Sequence, residues 1–92
     1  MARDNNIDYN IIAMAAMLKE WRMRCDLTVY RISKETGLDP HAIARIERAE
    51  PVHSDTLLQY LAFIRRADPS WDIIAEWEKM RSFLQNIPVG ER

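Results

Sequence analysis

Two glycines occur in the 92 residues, and the position of one of them constrains the fold more than any other feature. Gly37 separates two short helical patterns within LTVYRISKETGLDPHAIARIER, Leu27 to Arg48. Before it, Thr28 is a capping residue type and Ile32 supplies a core contact; Gly37 then stands where a helix ends in a left-handed residue free of a Cβ clash. After it, Asp39 caps again and Pro40 takes the first helical position, where a missing N–H costs nothing. Ile43 and Ile46 recur at three-residue spacing, so the second helix buries one face and carries His41, Ala44, Arg45 and Arg48 on or near the other. The pattern predicts helices over about Val29 to Thr36 and Pro40 to Arg48 joined by one sharp turn, a helix-turn-helix. Helices this short need a bundle around them.

The flanks supply it. Asp8 or Asn6 can cap a long first helix, along which Ile7, Ile11, Met14, Leu18, Trp21 and Cys25 alternate at four and three residues. Ile12, Ala15, Ala16 and Met17 widen its apolar face beyond one contact. After a loop containing Pro51, Ser54 is expected to cap a fourth helix whose buried side is Leu57, Leu58, Leu61, Ala62 and Ile64, with Arg65 and Arg66 suiting its carboxyl end. Asp68 and Pro69 repeat the cap-plus-proline start, so a fifth helix is expected from about 69 to 86, ended by Pro88 and Gly90. Its seam of Ile73, Trp77, Met80, Leu84 and Ile87, flanked by Trp71, Ile74 and Phe83, reads either as packing on the chain's own core or as a dimer interface. Trp21, Trp71 and Trp77, like Met14, Met17 and Met23, read as packing residues.

Ninety-two residues suit one small domain with a single core, spanning 1–92. No apolar run approaches a membrane span, and the amino terminus lacks the order of regions a signal peptide needs. The single Cys25 cannot form an internal disulfide, which fits a reducing, cytoplasmic setting, and reads as a small buried or half-buried thiol. Neither His41 nor His53 has a second ligand at metal-binding spacing. With no Ser/His/Asp constellation and no phosphate-cradling glycine loop, an enzyme is not expected, and no metal or cofactor either. The net charge is −1, yet Leu18 to Arg48 holds seven bases against five acids while Ala49 to Arg92 holds five against seven. Nucleic-acid contact needs local positive charge, so the middle of the chain is compatible with it; an ordinary surface of mixed sign would look the same.

From Leu18 to about Ala62 the chain resembles the phage-repressor class of helix-turn-helix domain, the Cro and Xre type. The elements that carry the resemblance are Leu18 with Arg22, Leu27-Thr28, Ile32, Gly37, Ile43, Ile46-Glu47-Arg48, and Leu57-Leu58 with Leu61-Ala62. It implies an all-α, compact five-helix lambda-repressor-like bundle, its family-like core at 13–67, here with extended first and last helices. It also implies double-stranded DNA as partner, a homodimer, and a partly buried ion pair between Arg22 and Glu47 that fixes the reading helix. By position, Pro40, His41, Ala44 and Arg45 fall where family members place base-reading side chains.

Arg45 is the strongest of these by chemistry, since a guanidinium donates two hydrogen bonds to guanine O6 and N7; Pro40 and Ala44 offer only apolar contact with a thymine methyl. His41 can donate to a base or phosphate, or stand exposed at the helix start without a partner. Thr28 with the amino terminus of its helix, Val29, Arg31, Lys34 and Arg48 are the phosphate candidates. Val29 stands where the family commonly has Gln, Ala49 where it commonly has Gly, and Glu50 in a loop that would face the DNA backbone. The resulting expectation is a sequence-specific transcriptional regulator that acts as a dimer on two half-sites. The alternative is an antitoxin or adaptor on the same fold that grips a protein partner such as a toxin through an extended terminal helix.

Overall fold

The computed structural model describes residues 8–86, which form five α-helices and, among the described residues, no strand. They are α1 (Tyr9–Arg24), α2 (Val29–Thr36), α3 (Pro40–Glu47), α4 (Ser54–Ala67) and α5 (Ile73–Gln85). Asn6, the Ile7 end of the first stripe, Ile87, Pro88 and Gly90 lie outside the described residues.

Helix α1 is the centre of the bundle. Asp8 caps it, Oδ1 accepting from the N–H groups of Asn10 and Ile11 at 3.1 and 3.3 Å. Ala13, Ala15, Met17, Leu18 and Trp21 are buried along it because α3 packs on one side and α5 on another. A helix covered on two sides is apolar over more than one stripe. The Trp21 ring takes Phe63 edge-on at 6.3 Å and lies against Trp71 at 5.9 Å, while its Nε1 donates to Asp68 Oδ2 at 3.1 Å. Around it Leu18, Ile32, Leu38, Ile43, Ile46, Tyr60 and Ile64 close the core.

The glycine-centred turn folds as its residues dictate. Thr28 Oγ1 accepts from the Arg31 N–H at 3.0 Å and Asp39 Oδ1 from the His41 N–H at 2.9 Å, so both helices start on side-chain caps. Gly37 ends α2 at φ 81°, its N–H on the Ser33 carbonyl at 2.8 Å. Between them Leu38 is buried as a plug, with its N–H on Thr36 Oγ1 and its carbonyl accepting from the Ser33 hydroxyl.

Several expectations are corrected. The cap of α4 is His53, which makes no side-chain cap hydrogen bond, and Ser54 is already the first helical residue. The buried face of α4 is Tyr60 and Ile64 with Leu57 and Leu61 half-buried, whereas Leu58 and Ala62 are exposed, a rotation of about one residue. Helix α5 begins at Ile73 on an Asp72 cap, not at Asp68-Pro69. A residue before proline avoids the helical region; Asp68 is accordingly non-helical, ends α4, and spends its carboxylate on Trp21. Cys25 is exposed, because α1 stops at Arg24 and the chain turns away through Asp26 at φ 58°. Arg48 is the carboxyl cap of α3 and not its last turn.

The aromatic seam of α5 faces inward. Ile73, Trp77 and Met80 pack on the chain's own core, Leu84 is half-buried, and Trp71 covers Trp21. Trp77 Nε1 donates to the Asn10 carbonyl at 2.9 Å and Arg81 Nη1 to Asn10 Oδ1 at 3.2 Å, tying α5 to the first turn of α1. These contacts are the first of the two readings of the seam, packing within one chain. Ile74 and Phe83, which flank the seam, are exposed.

Candidate nucleic-acid interface

Helix α3 is held by its apolar side and presents the other. Ile43 and Ile46 are buried, while His41, Arg45 and Arg48, spaced four and three residues apart, form one exposed stripe. Pro40 and Ala44 beside that stripe are half-buried. Among the described residues neither His41 nor Arg45 is ion-paired. Arg45 also borders a notch of about 410 Å³ shared with Pro51, His53 and Thr56.

What fixes α3 at its angle is a charged clamp beneath its last turn. Arg22 Nε donates to Glu47 Oε2 at 2.7 Å and Arg22 Nη2 to Glu47 Oε1 at 2.9 Å, a two-pronged pair with side chains only 14% and 6% exposed. Arg22 Nη1 donates further to the Leu27 carbonyl at 2.8 Å, holding the entry to α2. The Tyr60 hydroxyl donates to Glu47 Oε2 at 3.2 Å from α4. The carboxylate partner pushes the Arg22 pKa further up, chiefly through the hydrogen bond. Burial, and then the negative charge of Glu47, raise the Tyr60 phenol well above its ordinary value. Three helices thus converge on one carboxylate, and Arg22 and Glu47 meet as expected.

The phosphate candidates divide into two groups. Arg31 is engaged by Glu35 one turn on at 3.1 Å, and Arg48 by Glu50 at 3.0 and 3.3 Å. The Arg48–Glu50 contact raises the one pKa and lowers the other, mainly through the hydrogen bond between them. Lys34 is exposed and, like the base-reading candidate Arg45, pairs with no carboxylate among the described residues. The Arg31 and Arg48 pairs are exposed and screened by solvent, so a phosphate can displace either carboxylate. Thr28 is exposed but its Oγ1 already accepts within the turn, and Val29 is half-buried against the core.

Glu50 is placed by an unusual helix end. The Ala49 N–H bonds the Ile46 carbonyl at 3.1 Å and the Glu50 N–H the Arg45 carbonyl at 2.9 Å, the paired contacts of a Schellman ending. Its left-handed residue is Ala49 at φ 61°, not a glycine. Helix α1 ends the same way, with Asp26 N–H on the Met23 carbonyl and Leu27 N–H on the Arg22 carbonyl. A sequence reading that looks for glycine at helix ends misses both turns.

Sequence reasoning also missed Tyr60 and Asp68. The 57–60–61–64 spacing on α4 was the available signal for Tyr60, whereas nothing local marks Asp68 as the acceptor for an indole 47 residues away. Among the described residues no three His, Cys, Asp or Glu side chains gather closely enough to hold a metal ion, and no helix is long and apolar enough to cross a membrane. The chain matches no protein-family model, no curated protein and no solved structure.

Proposed function

We propose that the protein is a sequence-specific DNA-binding transcriptional regulator with a lambda-repressor-like arrangement of helices, which lays α3 in the major groove and acts as a dimer on two half-sites. The observation that carries this reading is the exposed His41–Arg45–Arg48 stripe on a helix whose opposite face is buried and whose end is clamped by Arg22 and Glu47. A helix read by DNA needs that combination, since base discrimination of roughly 1–3 kcal/mol per bidentate contact is lost if the helix can rock. Arg45 is the base reader, His41 and Ala44 assist, and Pro40 contacts sugar or methyl groups. Lys34 is the ready phosphate anchor; Arg31 and Arg48 become anchors by exchanging a carboxylate for a phosphate.

The test is a titration of random and selected duplexes at several salt concentrations. A specific regulator enriches one sequence from a random pool, and its affinity falls steeply with salt. No binding to any duplex at low salt overturns the reading. It would favour the adaptor or antitoxin alternative, which is supported by an apolar cleft of about 320 Å³ between Ile11, Met14, Ile46, Val52, Leu57 and Trp77.

A further inference from the structure

The apolar cleft of about 320 Å³ is walled by α1, by the end of α3 with the turn and loop after it, and by α4 and α5. Of its apolar side chains only Ile11 is exposed, at 50%, and Trp77 stands half-buried among the rest. The space is therefore concave, at the lower end of the roughly 300–1,000 Å³ over which ligand pockets range. It admits one small apolar body and not the length of a helix. Two polar residues complete the lining, Asn10 and Glu50. Asn10 is already spent inside the chain, its carbonyl accepting from Trp77 Nε1 at 2.9 Å and its Oδ1 from Arg81 Nη1 at 3.2 Å. Glu50 is thus the group that sets which charge the cleft accepts.

An ionised carboxylate accepts hydrogen bonds and donates none. It selects a ligand whose polar end donates and is positive, because a charged pair gains more than a neutral donor does and an anion is repelled. Arg81 touches Asn10 but does not itself line the cleft. The competitor is Arg48, which also lies outside the lining. It holds Glu50 through two hydrogen bonds at 3.0 and 3.3 Å, with the two side chains 59% and 45% exposed. A pair this open to solvent exchanges partners readily, and an ammonium on an apolar body buries surface in the cleft that Arg48 leaves uncovered. An occupant that takes Glu50 leaves Arg48 without a carboxylate, so that a base on the exposed side of α3 is released for a phosphate.

We propose that this cleft binds a small organic cation, an amine with an aromatic or branched aliphatic body, which takes Glu50 from Arg48. The site goes beyond the DNA-binding reading; only the use made of the freed Arg48 depends on that reading, and binding is measured without DNA, so either can fail alone. The probe is phenethylammonium, with phenethyl alcohol and phenylacetate as its neutral and anionic counterparts. Each is titrated at neutral pH into the full chain and followed by the indole N–H signals in proton–nitrogen NMR, Trp77 being identified with Trp77→Phe. The ammonium should shift the Trp77 signal and bind at least tenfold more tightly than either counterpart. Glu50→Gln should remove that preference, whereas Arg48→Ala, which removes the competitor, should tighten the ammonium at least twofold. Both positions are exposed, and helical circular dichroism shows that each variant is folded. A Trp77 signal unmoved by millimolar ammonium overturns the proposal. So does equal affinity for the three probes, the behaviour of an apolar slot for a partner's side chain, or ammonium binding that neither Glu50→Gln nor Arg48→Ala changes.

Discussion

Replacing Arg22 by Met isolates the clamp under α3. The side chain keeps its length but loses both hydrogen bonds to Glu47 and the one to the Leu27 carbonyl. Glu47 is then a carboxylate at 6% exposure with one remaining donor, the Tyr60 hydroxyl. Breaking one side of a buried pair costs about 3–5 kcal/mol, because the other charge is left without compensation. A chain of this size has a total stability of about 5–14 kcal/mol, so the loss is a third or more of the whole unless the fold is at the stable end. Since ~1 kcal/mol moves the midpoint of a small domain by about 4–8 °C, the melting temperature should fall by at least about 12 °C. The double variant Arg22→Met/Glu47→Leu removes both charges and should recover most of that loss, the residue being the orphaned Tyr60 hydroxyl at about 1–3 kcal/mol. Urea unfolding followed by tryptophan fluorescence at neutral pH measures all three chains. An Arg22→Met midpoint within ~1 kcal/mol of wild type, or a double variant no more stable than the single, would falsify the clamp.

Three further outcomes follow from the same contacts. Tyr60 is held protonated in the fold, with a pKa above the ordinary 10.0, so its contribution is intact below that value and is lost as pH rises past it; stability should fall by about 1.4 kcal/mol per unit, a slope that Tyr60→Phe reduces in urea titrations at alkaline pH. Gly37→Ala meets no atom within 4 Å, so its cost is the left-handed backbone alone, about 1 kcal/mol after the gain in the unfolded state; Ala49→Gly at φ 61° should have the opposite sign and about half to all of that size, and equal melting temperatures for the two variants would contradict the strain argument. In a duplex titration Arg45→Ala should flatten base preference while Lys34→Ala weakens all sequences about equally and lowers the salt slope by about one; identical effects of the two substitutions would remove Arg45 from the base-reading role.

Much of the fold could be read from local signals because its short helices begin on side-chain caps. Thr28, Asp39 and Asp8 each bond the N–H groups their positions imply, and Gly37 turns as only glycine does cheaply. Arg22 and Glu47 were legible only through resemblance, since 25 residues separate them and no spacing rule connects them. One misreading and one open reading share a cause. Asp68-Pro69 looks like a helix start, yet tertiary demand from Trp21 takes the carboxylate and moves the true cap to Asp72. The seam of α5 shows an apolar stripe but cannot say which partner covers it; that choice depends on Asn10, whose carbonyl and side chain hold Trp77 and Arg81 from the far end of the chain.

The two helix ends without glycine explain why the clamp sits where it does. Asp26 and Ala49 are left-handed, each at a cost of roughly 1–2 kcal/mol, and they terminate the two helices that Arg22 and Glu47 join. Arg22 supplies the carbonyl that closes the α1 turn and the Nη1 that holds Leu27 beyond it. Glu47 is the last helical residue before Arg48 and Ala49. The ion pair therefore bridges the two strained turns. Strain at the end of α3 in turn sets the direction of Glu50, which meets Arg48 and covers one of the bases on the exposed stripe. Core, clamp, strained turn and surface carboxylate form one chain of contacts, so the electrostatics of the α3 face are decided by how α3 ends as much as by which residues it displays.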